Sequence, residues 1–481
     1  MNSRTQEPTN QRTHGPRGVR WVLPATILGS SLSFIDGSVV NVALPAIRAD
    51  LGTTLATLQW VVNGYMLTLA SLILLGGSAG DRFGRRRIFL LGLSGFVLAS
   101  VACGLAPDAG WLIGARMLQG TAAALLMPAS LAIISSAYTG AARGAAIGTW
   151  AAAAAITSAL GPPLGGWLVD TIAWRAIFFI NVPVGGLALL FGWRISADSR
   201  VGRSEPLDLR GGLLAILALG SLSYGLVALG EGKQTNGTFV LALSVPATWG
   251  FIRSQARAPA PMMPLDLFRN RTFAGANGLT VLLYAALSGA LFMLPLLLVG
   301  VHRYSAAAAG ASFLPMSAIM GAGSRWSGRL VTRIGARAQL MLGQSIVAAA
   351  YVVLGLSGDR PSYWTGFLPG LVVLACGMTL CVTPLTTTVF DSSPADRSGT
   401  ASGVNNAAAR AGGLVAIAAI GLAFGTSGMA GASRPSVIEA YRLVMISAAI
   451  LASLGALTAA FTIRTSGPQD LRASGSQDLR T

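Results

Sequence analysis

Charge is scarce in this 481-residue chain. Only 11% of its residues are Asp, Glu, Lys or Arg and 53% are hydrophobic, where a soluble domain carries roughly 25% charge. Lysine is nearly missing: Lys233 is the one example, so almost all positive charge is arginine. Histidine occurs twice, as His14 in a polar stretch and His302 between apolar runs. Neither has metal-ligand spacing or a neighbouring nucleophile, so both read as solvated side chains. The three cysteines, Cys103, Cys376 and Cys381, all fall within apolar runs. Cys376 and Cys381 are poorly placed to pair on one helix, so no disulfide and no metal site is expected. A Gly-x-x-x-x-Gly-Lys phosphate loop is lacking, which leaves ATP-driven work unsupported. No nucleophile–base pairing has local context, so no catalytic residue, enzyme activity or cofactor is expected. The first ~18 residues are polar and the apolar run after them is too long for a signal sequence, so no cleavable leader is expected.

What is abundant is long apolar sequence. Runs lie at about 21–45, 55–76, 87–106, 111–138, 144–168 and 176–195, then at about 211–230 and 237–252. Six more follow at about 273–300, 307–331, 338–357, 363–390, 399–425 and 441–463. Each is long enough for a ~30 Å hydrocarbon core at 1.5 Å per residue. The expectation is an all-α polytopic membrane protein of fourteen spans arranged six, two, six. Its parts are a disordered tail (1–18), a six-helix bundle (19–196), a linker with two extra membrane helices (197–271), a second six-helix bundle (272–464) and a disordered tail (465–481) that repeats Gln-Asp-Leu-Arg.

The formal net charge of +17 would suggest nucleic acid in a soluble protein. Here the arginines sit in short segments between apolar runs, and nucleic acid is not expected as a partner. With the N-terminus placed in the cytoplasm, 25 basic residues fall in inside segments and seven in outside loops (Arg48, Arg175, Lys233, Arg303, Arg360, Arg434 and Arg442). That bias predicts both termini inside. Arg116 and Arg410 fall within spans.

The chain also repeats itself. Gly77-Ser-Ala-Gly-Asp-Arg-Phe-Gly-Arg-Arg86 follows the second span, and Gly328-Arg-Leu-Val-Thr-Arg-Ile-Gly-Ala-Arg337 follows the second span of the last six. A weaker echo pairs Arg143–Gly148 with Arg397–Gly403. Two six-helix halves with matching loops suggest a duplicated transporter whose halves rock about a central site. The loop around Gly77, Gly80, Asp81, Arg82, Gly84, Arg85 and Arg86 resembles the signature between helices 2 and 3 of the major facilitator superfamily. Phe34–Ile47 in the first span, Gly161-Pro162-Pro163-Leu-Gly165-Gly166 in the fifth and Trp174–Gly185 resemble its fourteen-helix drug:proton antiporters. The resemblance covers about residues 19–464. It implies a conformational latch in the loop and an antiporter motif at 161–166 that shapes the helix 5 interface and limits leak. The plainer readings are a basic loop that sets topology and an ordinary proline kink. Thr332 stands where the first loop has Asp81, so only the first half is expected to carry a charged latch.

Asp36 lies near the centre of the first span, where translocon scales assign a cost of roughly 2.5–3.5 kcal/mol, so an intramembrane carboxyl is a functional candidate by default. Arg116 and Gln119 resemble the family's helix 4 Arg-x-x-Gln-Gly pattern. Burial favours the neutral acid and a nearby cation favours the carboxylate, and a carboxyl held between the two is suited to loading and releasing a proton. Asp36 and Arg116 are therefore the candidate proton-coupling pair; the alternative is a polar helix contact through Ser38 and Asn41. Asn41, Gln59, Trp60, Asn63, Tyr65, Gln119, Tyr284, Phe292 and Met293 are candidate substrate contacts, because aromatic faces hold cations and flat organic molecules. Arg410 is expected to reach the cytoplasmic face. The expected function is proton-coupled export of hydrophobic or cationic drugs, antibiotics or a natural product across the cytoplasmic membrane, by a monomer whose partners are a drug-like small molecule, protons and lipid. Proton-coupled uptake or exchange of a metabolite, and a solute-binding receptor that moves nothing, remain alternatives.

Overall fold

A computed structural model of the chain describes residues 19–196, 206–394, 397–427 and 433–464. Both expected tails and most of the charged stretch that opens the central linker lie outside those residues. Among the described residues every regular element is helical. The first group comprises α1 (Val19–Leu51), α2 (Leu55–Phe83), α3 (Arg85–Gly104), α4 (Ala109–Ala137), α5 (Gly140–Thr171), α6 (Ala176–Phe179) and α7 (Asn181–Gly192). Then come α8 (Leu209–Gly230) and α9 (Gln234–Arg257). The last group is α10 (Arg271–Gly300), α11 (Ala306–Ala311), α12 (Leu314–Gly355), α13 (Leu368–Asp391), α14 (Ser398–Ala419) and α15 (Arg434–Thr462).

Eleven helical stretches are long and apolar enough to cross a membrane. The difference from the fourteen expected runs lies in three places. The stretch Ala176–Gly192 is shorter than a full span, and Gln234–Arg257 does not reach the apolar threshold. The third is the 50-residue stretch Ala306–Gly355, which is about twice the length that a bilayer requires. It does not run straight: Gly335 has φ 78° and ψ 156°, which interrupts the helix where the sequence repeat places a turn. Its counterpart Gly84, between α2 and α3, has φ 99°. A side chain at either position would be strained by positive φ, so glycine at the matching position of both copies has a backbone cause.

Packing follows the two groups. In the first, α1 lies against α4, α5 and α7, and α4 against α2 and α3; in the second, α10 lies against α14 and α15, and α12 against α13 and α15. α8 and α9 pack on each other, and α8 also touches α2 and α14. One buried apolar cluster fills the second group and continues into the first only at the end carrying residues 51–55, through Val39–Ile47, Leu55–Val62, Leu112 and Leu168. A separate cluster fills the other end of the first group, from Val22–Leu32 and Tyr65–Ala79 to Ile133. The two groups thus share a core at one end of the molecule. At the opposite end, Gly144 and Gly148 of α5 meet nothing within 4 Å of where a side chain would begin.

Candidate functional site

Asp36 is fully buried near the midpoint of α1, with no exposure. Its Oδ2 accepts from Arg116 Nη1 of α4 at 2.5 Å, and its Oδ1 accepts from Gln119 Nε2 at 3.0 Å. Arg116 Nη1 also donates to Gln119 Oε1 at 2.7 Å, and Arg116 Nε donates to the Val61 carbonyl of α2 at 3.2 Å. The guanidinium carbon stands 4.3 Å from the centre of the Tyr65 ring and 5.8 Å from that of Phe178. Arg116 and Gln119 lie one helical turn apart on α4, so one face of that helix supplies both donors. Taking two ions out of water costs several kcal/mol each. Here it is offset by three close hydrogen bonds within the triad and by the aromatic faces. Three helices, α1, α2 and α4, are joined at this one point.

The loop of residues 77–86, from which a latch was expected, turns at Gly84. Arg85 Nε and Nη2 donate to Asp81 Oδ1 at 3.1 and 3.0 Å, and Arg85 Nη1 reaches the Ala132 carbonyl of α4 at 3.2 Å. Arg86 donates to the carbonyls of Gly192 and Trp193, at 3.2 and 2.6 Å, where α7 ends. These carbonyls are ones a helix C-terminus leaves without intrahelical donors. Arg82 lies over the Phe83 ring. The loop therefore ties α2 and α3 to α4 and α7, all within the first group.

The 161–166 motif sits where the two groups meet. α5 stays helical through Pro162 and Pro163. A side chain on Gly161 would collide with Ser38 of α1, and one on Gly165 with Val39. Gly166 lies against the Ala306 carbonyl of α11, and Gly310 of α11 against the Pro162 carbonyl. Backbone thus meets backbone in both directions between α5 and α11. Four residues beyond Gly166, Asp170 Oδ1 accepts from the Ala306 amide at 3.1 Å and Oδ2 from the Ala307 amide at 2.7 Å. A second tie joins α2 to α14, where Gln59 Nε2 donates to the Ile417 carbonyl at 2.5 Å.

The candidate substrate contacts fall into separate places. Gln59 belongs to the α2–α14 tie, and Gln119 to the Asp36 network. Phe292 and Met293 are wholly buried in the shared core. Trp60 stacks at a tilt on Tyr224 of α8, 6.2 Å between centres. Asn63 is buried with neither amide atom hydrogen-bonded, and the Tyr65 hydroxyl is likewise unpartnered. Asn41 and Tyr284 are partly exposed. Arg410 differs from its expected position. Its Nη1 comes within 3.9 Å of where a side chain on Gly37 would begin, near the middle of the 33-residue α1, so it points between the groups and not to a membrane face. The physical reason is that α14 faces α1 and α2 across the cleft, a relation that span hydropathy does not contain. Asp170 was also missed. It is an acid at the end of one span whose partner is a helix start 136 residues away, a relation that local sequence does not carry.

Residues 26–417 match the Major Facilitator Superfamily. The chain is 38% identical to "Multidrug resistance protein Stp" of Mycobacterium tuberculosis (strain CDC 1551 / Oshkosh), over 83% of its own length and 74% of that protein's. It is 34% identical to "Tetracenomycin C resistance and export protein" of Streptomyces glaucescens, covering 88% and 80%, and 37% identical to "Methylenomycin A resistance protein" of Bacillus subtilis (strain 168), covering 83% and 86%. Among solved structures it resembles a D-xylose-proton symporter, with a TM-score of 0.68 at 13% identity, 94% of this chain and 99% of that one being covered. It also resembles an inward-facing bacterial homologue of the lysosomal transporter Spinster, with a TM-score of 0.64 at 19% identity and 94% and 99% coverage. At these identities the structural likeness speaks for the fold alone, and the family match with the curated relatives carries the assignment: the chain is a multi-pass membrane transporter belonging to the Major Facilitator Superfamily.

Proposed function

We propose that this transporter is a proton-coupled antiporter that exports drug-like or antibiotic molecules across the cytoplasmic membrane by alternating access. The observation that carries this reading is the buried Asp36–Arg116–Gln119 network on α1 and α4. A proton arriving at Asp36 cancels the charge that holds Arg116, and the three-helix junction must then find another arrangement. α1 carries the change onward: Ser38 and Val39, just past Asp36, are the residues on which Gly161 and Gly165 pack. α5 in turn seals against α11. Protonation state and closure are in this way mechanically joined through one helix. A proton moves the equilibrium between facing states only by its different affinity for each, worth about 1.4 kcal/mol per pH unit of difference. The names of the curated resistance relatives support outward movement of a small organic molecule.

The topology proposed with it has fourteen passes, with the chain folding back at Gly335, both termini cytoplasmic, two six-helix bundles (19–196 and 272–464), and α8 and α9 as additional central spans in the 197–271 linker. The working unit is a monomer. The Asp81–Arg85 turn is the latch at the cytoplasmic end, and the 161–166 motif the seal at the outer end. The test is proton release from sealed vesicles holding a pH gradient and challenged with a panel of lipophilic drugs. Substrate-induced collapse in the wild type and none in Asp36→Asn is the expected result. Collapse in both places the proton elsewhere, and substrate movement in the same direction as the proton replaces export by uptake.

A further inference from the structure

Arg410 is a cation at mid-membrane depth, half-buried on α14. It donates no hydrogen bond and forms no ion pair within the described residues, although its guanidinium carries five N–H donors. Asp36 does not answer its charge, because that carboxylate is held by Arg116 and Gln119. Arg410 faces the middle of α1 beside Gly37. A charge without a partner inside a membrane-spanning bundle is costly unless something else answers it.

We propose that Arg410, facing the middle of α1 beside Gly37, is a binding site for a carboxylate on the transported molecule. A guanidinium fork matches a carboxylate in a bidentate way that an ammonium does not. The unpaired cation also argues against the cationic substrates expected from the candidate aromatic contacts. This assignment rests on the reading of the chain as an exporter, but the binding part is separable from it.

The experiment compares fluorescein, which carries a carboxylate and an acidic phenol, with fluorescein methyl ester, whose carboxyl is masked, and with rhodamine 123, a cation on the same ring frame. Affinity is measured by fluorescence anisotropy on purified protein in nanodiscs, and uptake by inverted vesicles under a pH gradient. The wild type is expected to prefer fluorescein to its ester by at least about tenfold. That ratio is expected to fall towards one in Arg410→Gln and to recover in part in Arg410→Lys. A ratio read within one preparation is unaffected by the fraction of folded protein. An equal preference in the wild type, a ratio unchanged by Arg410→Gln, tighter binding of rhodamine 123, or binding of no dye at all would each overturn the assignment. Driven uptake of ester or rhodamine 123 without acid preference overturns it while leaving export standing. Acid preference without driven uptake keeps the site and removes the antiport reading.

Discussion

Gln119 donates to Asp36 from its amide nitrogen and accepts from Arg116 at its amide oxygen, so a neutral side chain holds both members of a buried ion pair. A hydrogen bond to a charged group contributes roughly 1.5–3 kcal/mol. The bond to Asp36 favours its carboxylate form. Gln119→Leu is therefore expected to move the pH profile of transport upward by about one unit or more, at about 1.4 kcal/mol per unit. Gln119→Glu would add a second acid beside Asp36 and distort the profile differently. Drug-dependent proton flux recorded between pH 5 and 9 checks this; an unshifted profile in Gln119→Leu removes Gln119 from the coupling network.

Asp36→Asn is expected to abolish pH-driven transport, a loss of at least about a hundredfold, because Asn cannot cycle a proton. Breaking a buried pair by removing one partner also destabilises by about 3–5 kcal/mol. Thermal unfolding in detergent therefore accompanies the flux assay, and Asp36→Glu, which keeps the charge, is expected to retain part of the activity. Full coupled flux in a folded Asp36→Asn protein defeats the assignment.

At the seal, Gly166 and Gly310 leave no room for a side chain against the facing backbone. Gly166→Val and Gly310→Val are expected to hold α5 and α11 apart. The observable is accessibility of cysteines introduced near residue 307 to an impermeant thiol reagent added from outside, with substrate-independent proton leak as the second reading. Labelling should rise severalfold in both variants. Asp170→Asn keeps shape but weakens the two bonds to the amides of Ala306 and Ala307, and a smaller change in the same direction is expected.

Asp81 and Arg85 form a half-exposed ion pair at one turn's spacing, which by itself is worth little, roughly 0.3–0.5 kcal/mol. Any large effect of Asp81→Ala must come from Arg85 losing its position on the Ala132 carbonyl. A fall in turnover of about tenfold with substrate affinity within twofold is expected. Equal turnover in the variant reduces the turn to a topological signal.

Lys233 is the chain's single lysine, exposed in the turn between α8 and α9. Its hydrogen bond to Glu231, and that group's charge, raise its pKa above the usual lysine value. The reactive free amine therefore appears only at higher pH, so labelling by an impermeant amine reagent should accelerate as pH rises and be faster in Glu231→Gln. Modification at Lys233 from outside intact cells is the expected outcome; modification only after lysis inverts the topology.

Much of this molecule is written locally. A run of apolar residues long enough to cross a bilayer must become a helix there, since lipid offers the backbone no other hydrogen-bond partners. The runs, the scarcity of charge and the sidedness of arginine therefore announce a polytopic helical protein. The paired loops at Gly84 and Gly335 were equally legible, because positive φ selects glycine at a single position. Asp36 stood out because an acid in a span is costly wherever its partner lies. What sequence could not supply were relations across long separations. That Arg116 lies on Asp36, that Asp170 holds the start of α11, and that Arg410 faces α1 instead of a membrane surface all depend on how helices pack. Hydropathy fixes the length of a span but not its rotation about its own axis, and it is this rotation, decided by close packing between glycine-rich faces, that determines which side chains meet in the middle.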